Sequence, residues 1–363
     1  MKKVFFHLEG ICARRQLDIS KVRSYLESNG HLLTDRIEDS DAVFFFGCSF
    51  NTFREEEGLR VLGEMKHQDI YVIEGLAKTS GEKLRKMGFS DDRIIPLENL
   101  SMLDKDFAVD TLFAEADEQN QFFSSSGSFS VMVARGCADT CTYCGDKIIV
   151  GDIVSKSLPE ILAEINKGLD SGYGYINLVG DDVGAYGSDI GLTVFDLLEA
   201  VAGIERKFNV NIFELNIKYL ARDMERLEKF LSKKMLTSMV VAFQSGSSRV
   251  LNLMNRGYAK EDILNVVGAL VRNRIHFHYH VLVGFPSETE KDFDDTLDIL
   301  KTYQFYSASL FIYQEREYTK AVDIQPKVDH ETVMKRIMKA QEVLADGYSF
   351  VLKPDKLSIS AKN

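Results

Sequence analysis

Six strand-like runs separated by helical ones occupy residues 129–314, and this alternation constrains the fold of the 363-residue chain more than any other feature. The runs are FSVMVAR (129–135), YINLVGD (175–181), IFELNIK (212–218), TSMVVAFQ (237–244), HFHYHVLVGF (276–285) and SASLFIYQ (307–314). Strands alternating with helical patterns predict a parallel sheet joined by crossover helices. The first crossover opens on a capping-box sequence, Ser157-Leu-Pro-Glu160, with Pro159 in its first turn. Further helical patterns cover 192–207, 222–233, 260–273 and 289–303. Six such units predict a partial (βα)6 TIM-like barrel, open at the side, with its chemistry at the C-terminal ends of the strands.

Residues 1–108 carry a second, smaller alternation. The strand-like runs are VFFHL near the start, AVFFF at 42–46, IYVIEG at 70–75 and a short one at 93–96, with helical patterns at 18–29, 53–66 and 80–88. A continuous apolar run such as AVFFF fits a parallel strand covered on both faces. The pattern predicts an N-terminal doubly wound α/β domain, with Cys12 and Cys48 on the loops that follow strands, where sites form. The acidic, serine-rich stretch within 109–127 reads as a linker, 128–346 as the barrel domain and 347–363 as a polar C-terminal tail.

The formal net charge is −11, and no run of four Lys or Arg occurs. Both argue against a nucleic-acid partner. No apolar stretch approaches a membrane span, and the apolar start of MKKVFFHLEG breaks at His7 and Glu9, so it reads as a strand rather than a signal peptide. Five cysteines, three of them clustered, fit a cytoplasmic protein better than a disulfide framework.

Those three lie in RGCADTCTYC (135–144), directly after the first barrel strand. Cys137, Cys141 and Cys144 form a Cys-x3-Cys-x2-Cys run. Three thiolates on one loop can hold three corners of an iron–sulfur cube and leave the fourth iron free for a substrate. A structural zinc site is the competing reading, but zinc usually takes four protein ligands, and no His follows within ten residues.

The spacing resembles the signature of the radical S-adenosylmethionine (radical SAM) superfamily, and the wider pattern resembles its methylthiotransferase branch. The likeness rests on RGCADTCTYC, VGDDVGAYG (179–187), FQSGSSRVLNLMNRGY (243–258) and VLVGFPSETEKDFDDTL (281–297), with the Cys12 and Gly47-Cys48-Ser49 loops. It implies a radical SAM barrel in which Cys137, Cys141 and Cys144 hold a [4Fe–4S] cluster. SAM chelates the open iron and is cleaved by one electron to a 5′-deoxyadenosyl radical. The branch inserts sulfur into a C–H bond of a tRNA base or a ribosomal-protein side chain, then methylates it. It uses a second cluster held by three N-terminal cysteines. Three departures stand out. Leu76 occupies the position of the third of those cysteines. The chain ends at Asn363, short of the branch's RNA-binding barrel, and IIVGDIVSKS lacks the arginines usual after the cluster loop. Whether Cys12 and Cys48 hold a labile auxiliary iron–sulfur cluster stays open.

By the same resemblance, Tyr143 packs near the adenine, and Gly180 and Asp181 receive the SAM amino group, the alternative being a tight Gly-Asp turn. Glu214, Asn216 and Lys218 alternate along one strand, so they share a face. That face is either a lumen strip for SAM or substrate, or a solvent edge. Gln244 offers an amide to SAM or substrate. Arg256 either pairs with the SAM carboxylate or lies on the surface, and Gly284 turns the chain beneath the adenine. His276, His278 and His280 also alternate, but same-face neighbours roughly 7 Å apart suit a polar wall better than a chelate. The expected function is a radical SAM sulfurtransferase, with Cys12 and Cys48 as sulfur site. Its substrate is a small molecule, nucleoside or peptide, and its electron donor is of the reductase or flavodoxin type. Radical chemistry without sulfur transfer, and a tRNA-modifying or RNA-binding relative, are the competing functions.

Overall fold

The structure, a computed structural model, describes residues 1–11, 13–66, 69–116 and 127–362. The chain divides into two compact units, one of residues 1–126 with 145–151, the other of residues 127–144 with 152–363.

In the first unit, β1 (Lys3–Glu9), β2 (Leu32–Thr34), β3 (Ala42–Gly47), β4 (Ile70–Ile73) and β5 (Ile94–Ile95) form a parallel sheet ordered β2-β1-β3-β4-β5. The AVFFF run sits in the middle of it. Successive side chains of a strand point to opposite faces. Phe44 and Phe46 therefore join a core with Val4, Tyr25 and Tyr71, while Val43 and Phe45 join another with Leu62, Val72 and Leu76. The sheet is filled on both sides, which explains the absence of polar alternation in β3. Part of the expected linker belongs to this unit. Phe113 is buried with its ring edge against Tyr25 at 5.4 Å, and Asn29 Oδ1 accepts from the backbone N–H groups of Val109, Asp110 and Thr111. Residues 117–126 of that stretch lie outside the described residues.

The second unit is built on β6 (Ser128–Arg135), β7 (Val154–Ser155), β8 (Tyr175–Gly180), β9 (Asn209–Leu215), β10 (Leu236–Gln244), β11 (His276–Val283), β12 (Ser307–Ile312), β13 (Tyr348–Lys353) and β14 (Lys356–Ala361). The order is β13-β14-β12-β11-β10-β9-β8-β6-β7. β6, β8, β9, β10, β11 and β12 are the six expected parallel strands. The capping box of the helix Leu158–Asp170 forms as its sequence predicts: Ser157 Oγ accepts from Glu160 N, and Glu160 Oε2 accepts from Ser157 N at 3.1 Å. Phe129, Val131, Val133, Ile176, Leu178, Val210 and Ile212 pack into the large core. The opposite face carries a belt of polar side chains. Asn177 Nδ2 donates to Ser128 Oγ and Ser130 Oγ, Asn211 Nδ2 to Asn177 Oδ1, and Ser238 Oγ to Asn211 Oδ1. Buried polar groups need such partners, and cross-strand ladders supply them.

Two expectations change here. Residues 347–363 are not a polar tail: β13 and β14 form an antiparallel hairpin, and β14 pairs with β12. Polar and apolar residues alternate at period two in KLSISA, so Leu357 and Ile359 are buried although the segment averages polar. Glu214, Asn216 and Lys218 do not share a strand. β9 ends at Leu215, Glu214 adopts a left-handed φ of 59°, and Asn216 caps the helix Ile217–Ala221, which contains Lys218. Among the described residues no helix is long and apolar enough to cross a membrane.

Candidate iron–sulfur site

Gly136, the residue directly after β6, has φ +75°. A Cβ there would lie 2.0 Å from Asp152 O, so only glycine makes this turn. The loop beyond holds Cys137, Cys141 and Cys144, all free thiols and all partly buried. It starts where the partial-barrel fold puts its chemistry, after the C-terminal end of a strand.

Three sets of contacts shape the loop. Asp181 Oδ2 accepts from Gly136 N at 2.7 Å and fixes its start. Within it, Cys137 Sγ accepts from Asp139 N at 3.4 Å, and Cys144 N donates to Cys141 O at 3.2 Å. From outside, the segment after the helix Ser248–Leu253 grips it. Thr142 N donates to Met254 O and Thr142 Oγ1 to Leu253 O, while Asn255 Nδ2 donates to Thr140 O and Thr140 Oγ1.

The wall beside Cys137 is acidic. Cys137 Sγ and carboxylate oxygens of Asp139 and Asp182 lie within 4.8 Å of one another. Asp139 accepts from Asn216 Nδ2 at 2.5 Å, from Tyr219 OH at 3.2 Å and from Lys218 Nζ. Asp182 accepts from Gly184 N at 3.0 Å and Asn216 N at 3.1 Å. Burial, then the Asp182 carboxylate, pushes the Cys137 thiol up to about 12. Burial, then Asp139, raises Asp182 to about 6. Metal ligation takes the thiolate, so a cluster bound at Cys137 would displace the thiol proton to solvent. Three sulfur donors on one short loop fit an iron–sulfur cube with one corner left open.

Several expected site residues move. Asp181 is engaged at Gly136, so the acid turned toward the thiols is Asp182, its neighbour, which the sequence reading passed over. Gly180 is needed for close packing, since a Cβ there would lie 3.1 Å from Ala134 O. Asn216 and Lys218 hold Asp139. Arg256 is not on the surface. It is 5% exposed and donates from Nη1 to Cys141 Sγ at 3.3 Å and from Nη2 to Ala242 O at 2.6 Å. Tyr143 packs edge-on to Phe285 at 6.4 Å, beside Val250, Met254 and Leu282. Gly284 follows β11 with φ +82°, and its N–H donates to Glu288 Oε2. Gln244 ends β10 with φ 67°, the second left-handed non-glycine at a strand end beside the site after Glu214. Such strained backbone is concentrated at functional sites. Asp139, Asp182, Tyr219 and Asn255 carry no spacing signal of their own; only Asp182, one of a Gly-Asp-Asp trio, was within reach of sequence reasoning.

Two of the three histidines meet: the His278 and His280 rings lie edge to face with centroids 5.0 Å apart. His276 stacks on Tyr306, His278 shares hydrogen bonds with Ser307 Oγ and Ser309 Oγ, and His280 Nδ1 lies 3.5 Å from Glu214 Oε2. Burial first, then His280, lowers His278 to about 3, with Lys356 adding to the effect and Glu214 opposing it. A His depressed below its unfolded value of about 6.5 contributes stability that is whole above pH 6.5 and lost as pH falls toward 3. The urea midpoint of the wild type should therefore fall more between pH 7 and pH 4.5 than that of His278→Asn. Equal falls would show that His278 titrates normally.

In the first unit, Cys48 follows β3, with Sγ accepting from Phe50 N at 3.4 Å. A Cβ on Gly10 would lie 3.4 Å from Arg54 Cδ and 3.6 Å from Cys48 Cβ, so the three residues are neighbours. Cys12 lies outside the described residues. Leu76 is 0% exposed and packs with Phe45, Leu62 and Leu84. This donor set does not fit a three-cysteine cluster, because the third position is an apolar core residue.

A parallel partial barrel with a three-thiol loop after the C-terminal end of its first strand defines a class of iron–sulfur enzymes that split a chelated cosubstrate. Comparison with known proteins agrees. The family model described as the radical SAM superfamily matches residues 131–300. The tRNA-2-methylthio-N(6)-dimethylallyladenosine synthase of Acetivibrio thermocellus is 30% identical over 371 residues, covering 91% of this chain and 74% of that protein. Its namesake from Clostridium botulinum is 29% identical over 366 residues, covering 92% and 79%. Among solved structures, the radical SAM methyltransferase TsrM from Kitasatospora setae, with cobalamin and a [4Fe–4S] cluster bound, has a TM-score of 0.56 at 11% identity. It covers 88% of this chain and 76% of TsrM. The cobalamin-dependent SAM radical enzyme OxsB has a TM-score of 0.54 at 12% identity, and the match takes in 95% of this chain but only 56% of OxsB. These two likenesses are of fold alone. The chain belongs to the radical SAM superfamily, in its methylthiotransferase-like branch. It is therefore a radical SAM enzyme whose cofactors are a [4Fe–4S] cluster and SAM, and it requires a one-electron reductant.

Proposed function

We propose that Cys137, Cys141 and Cys144 hold the [4Fe–4S] cluster and that the enzyme forms a carbon–sulfur bond in its substrate. The observation that carries the first part is the single loop with three thiols, clamped at Gly136, Thr142 and Thr140. When bound, the cluster and SAM supply one-electron cleavage of the sulfonium and hence abstraction of a substrate hydrogen atom. The residues around them bind and orient. Asp182, buried and backed by Gly184 N and Asn216 N, suits an ammonium group such as that of SAM. Asn216, Lys218 and Tyr219 keep Asp139 in place. Tyr143, partly exposed and backed edge-on by the buried Phe285, offers an apolar surface for an aromatic ring. Glu214 and Gln244 offer polar side chains from strained strand ends.

Sulfur insertion is supported by Cys48 directly after a strand of the first unit, by a second cysteine, Cys12, in the sequence, and by the 2-methylthio products in the relatives' names. The substrate we favour is a small molecule, nucleoside or peptide, because a net charge of −11 opposes a phosphate backbone. A tRNA adenosine is the second reading, favoured by the names of those relatives. The test joins Cys12→Ala with Cys48→Ala and supplies either total tRNA or a cell metabolite extract. Deoxyadenosine release from SAM should persist, while sulfur incorporation, read by mass spectrometry, should vanish. Undiminished incorporation would remove both cysteines from the chemistry, and incorporation into tRNA alone would decide for the second reading.

A further inference from the structure

Arg256 poses a physical problem. A guanidinium is always charged, and burying it without a counter-charge is costly. Arg256 is 5% exposed, yet among the described residues no carboxylate lies within ion-pair distance of it. Its Nε meets Tyr258 OH at 3.2 Å, and Nη2 donates to Ala242 O at 2.6 Å. Nη1 meets Cys141 Sγ at 3.3 Å, the one contact with an atom that becomes anionic when it ligates iron. The surroundings hold this geometry fast. Asn255 (φ 57°) and Gly257 (φ 70°) flank Arg256 in left-handed conformations, Arg256 N donates to Leu251 O, and Tyr258 OH donates to Phe243 O. Asn255 at the same time clamps Thr140, so one short segment both shapes the cysteine loop and aims the guanidinium at its middle sulfur.

We propose that Arg256 is a positioning residue that sets the reduction potential of the cluster through its hydrogen bond to Cys141 Sγ. This rests on the reading that the three thiols hold that cluster. Reduction adds one electron, and with it negative charge on the sulfurs. A cationic N–H donor favours the more negative state, and hydrogen bonds to cluster sulfurs are among the determinants of potential. Arg256 thus eases entry of the electron before any substrate is bound. The sequence alone left Arg256 either to the SAM carboxylate or to the surface; in the fold one donor on each of its three nitrogens is engaged by Tyr258, Cys141 and Ala242.

The experiment is a redox titration of anaerobically reconstituted full-length protein without SAM, followed by electron paramagnetic resonance, with iron counted in parallel. Arg256→Met, which keeps the apolar stem, should bind wild-type iron and reduce at a clearly more negative potential. Arg256→Lys should fall between Arg256→Met and the wild type. Should Arg256→Met lose its iron, the Lys variant decides alone: a negative shift supports the proposal and a wild-type potential overturns it. Unchanged potentials with weakened SAM binding would return Arg256 to the cosubstrate carboxylate and overturn the proposal. A wild type that shows no cluster signal would instead sink the reading on which it rests.

Discussion

Replacing any one of Cys137, Cys141 and Cys144 by alanine is expected to remove the iron–sulfur absorbance and to lower deoxyadenosine release by at least about a thousandfold, since groups that act as a unit fail together. The triple variant should be little worse than each single one. Two ligands leave an iron corner open to solvent, and the clamp by Thr142 and Asn255 preserves the loop but cannot replace a sulfur. Iron counting on the wild type reads the cluster load: about four irons per chain marks one cube, and a count clearly above that places further iron at Cys12 and Cys48. Zinc in place of iron, or a single-alanine variant that still splits SAM, would refute the assignment.

The largest effect on stability is expected at Arg336. It is 3% exposed and donates from Nη1 to Glu288 Oε2 at 2.8 Å and from Nη2 to Glu288 O at 3.0 Å, while Nε reaches Glu290 at 2.7 Å. Glu288 Oε2 also accepts from Gly284 N. The pair thereby ties the end of β11 to the helix His330–Leu344. Arg336→Met strands a buried carboxylate, for which a loss of about 3–5 kcal/mol is expected. Burial already pushes Glu288 up to about 7, from an ordinary value of 4.5. Its contribution is therefore whole below pH 4.5 and lost as pH rises through 7. The destabilisation of Arg336→Met should accordingly be greatest above pH 7 and shrink toward pH 5, where the stranded acid takes up a proton. Glu288→Gln, which keeps an acceptor for Gly284 N, should cost less. Urea unfolding of the two variants at pH 5 and pH 8 checks both points, and a pH-independent loss would show that packing rather than charge is at stake.

Much of the architecture was legible because it rests on local periodicity. The six parallel strands of the barrel, the AVFFF strand and the Ser157 capping box all follow from short-range pattern, and all form. The hairpin β13–β14 was missed because its apolar positions are few and alternate with serine and lysine; only pairing with β12 gives them a buried side. The end of β9 was missed for another reason. Asn216 and Lys218 continue the alternation of a strand, but Asn216 caps a helix, and nothing in the run IFELNIK marks the left-handed turn at Glu214.

The chain's own order of residues determined the class of chemistry: three thiols at set spacing, after a strand, in a βα series. Spacing along a backbone is local information and survives without any tertiary contact. Which acid faces those thiols, and where Arg256 points, were settled only by the fold. Asp181 and Asp182 are adjacent and chemically identical, and the choice between them depends on Gly136 needing a partner across the sheet. Arg256 is buried because Cys141, Ala242 and Tyr258 converge on it from separate segments of the chain. Such convergence is a property of packing at long sequence range, and a charged side chain reads the same in a sequence whether it ends in water or against a sulfur.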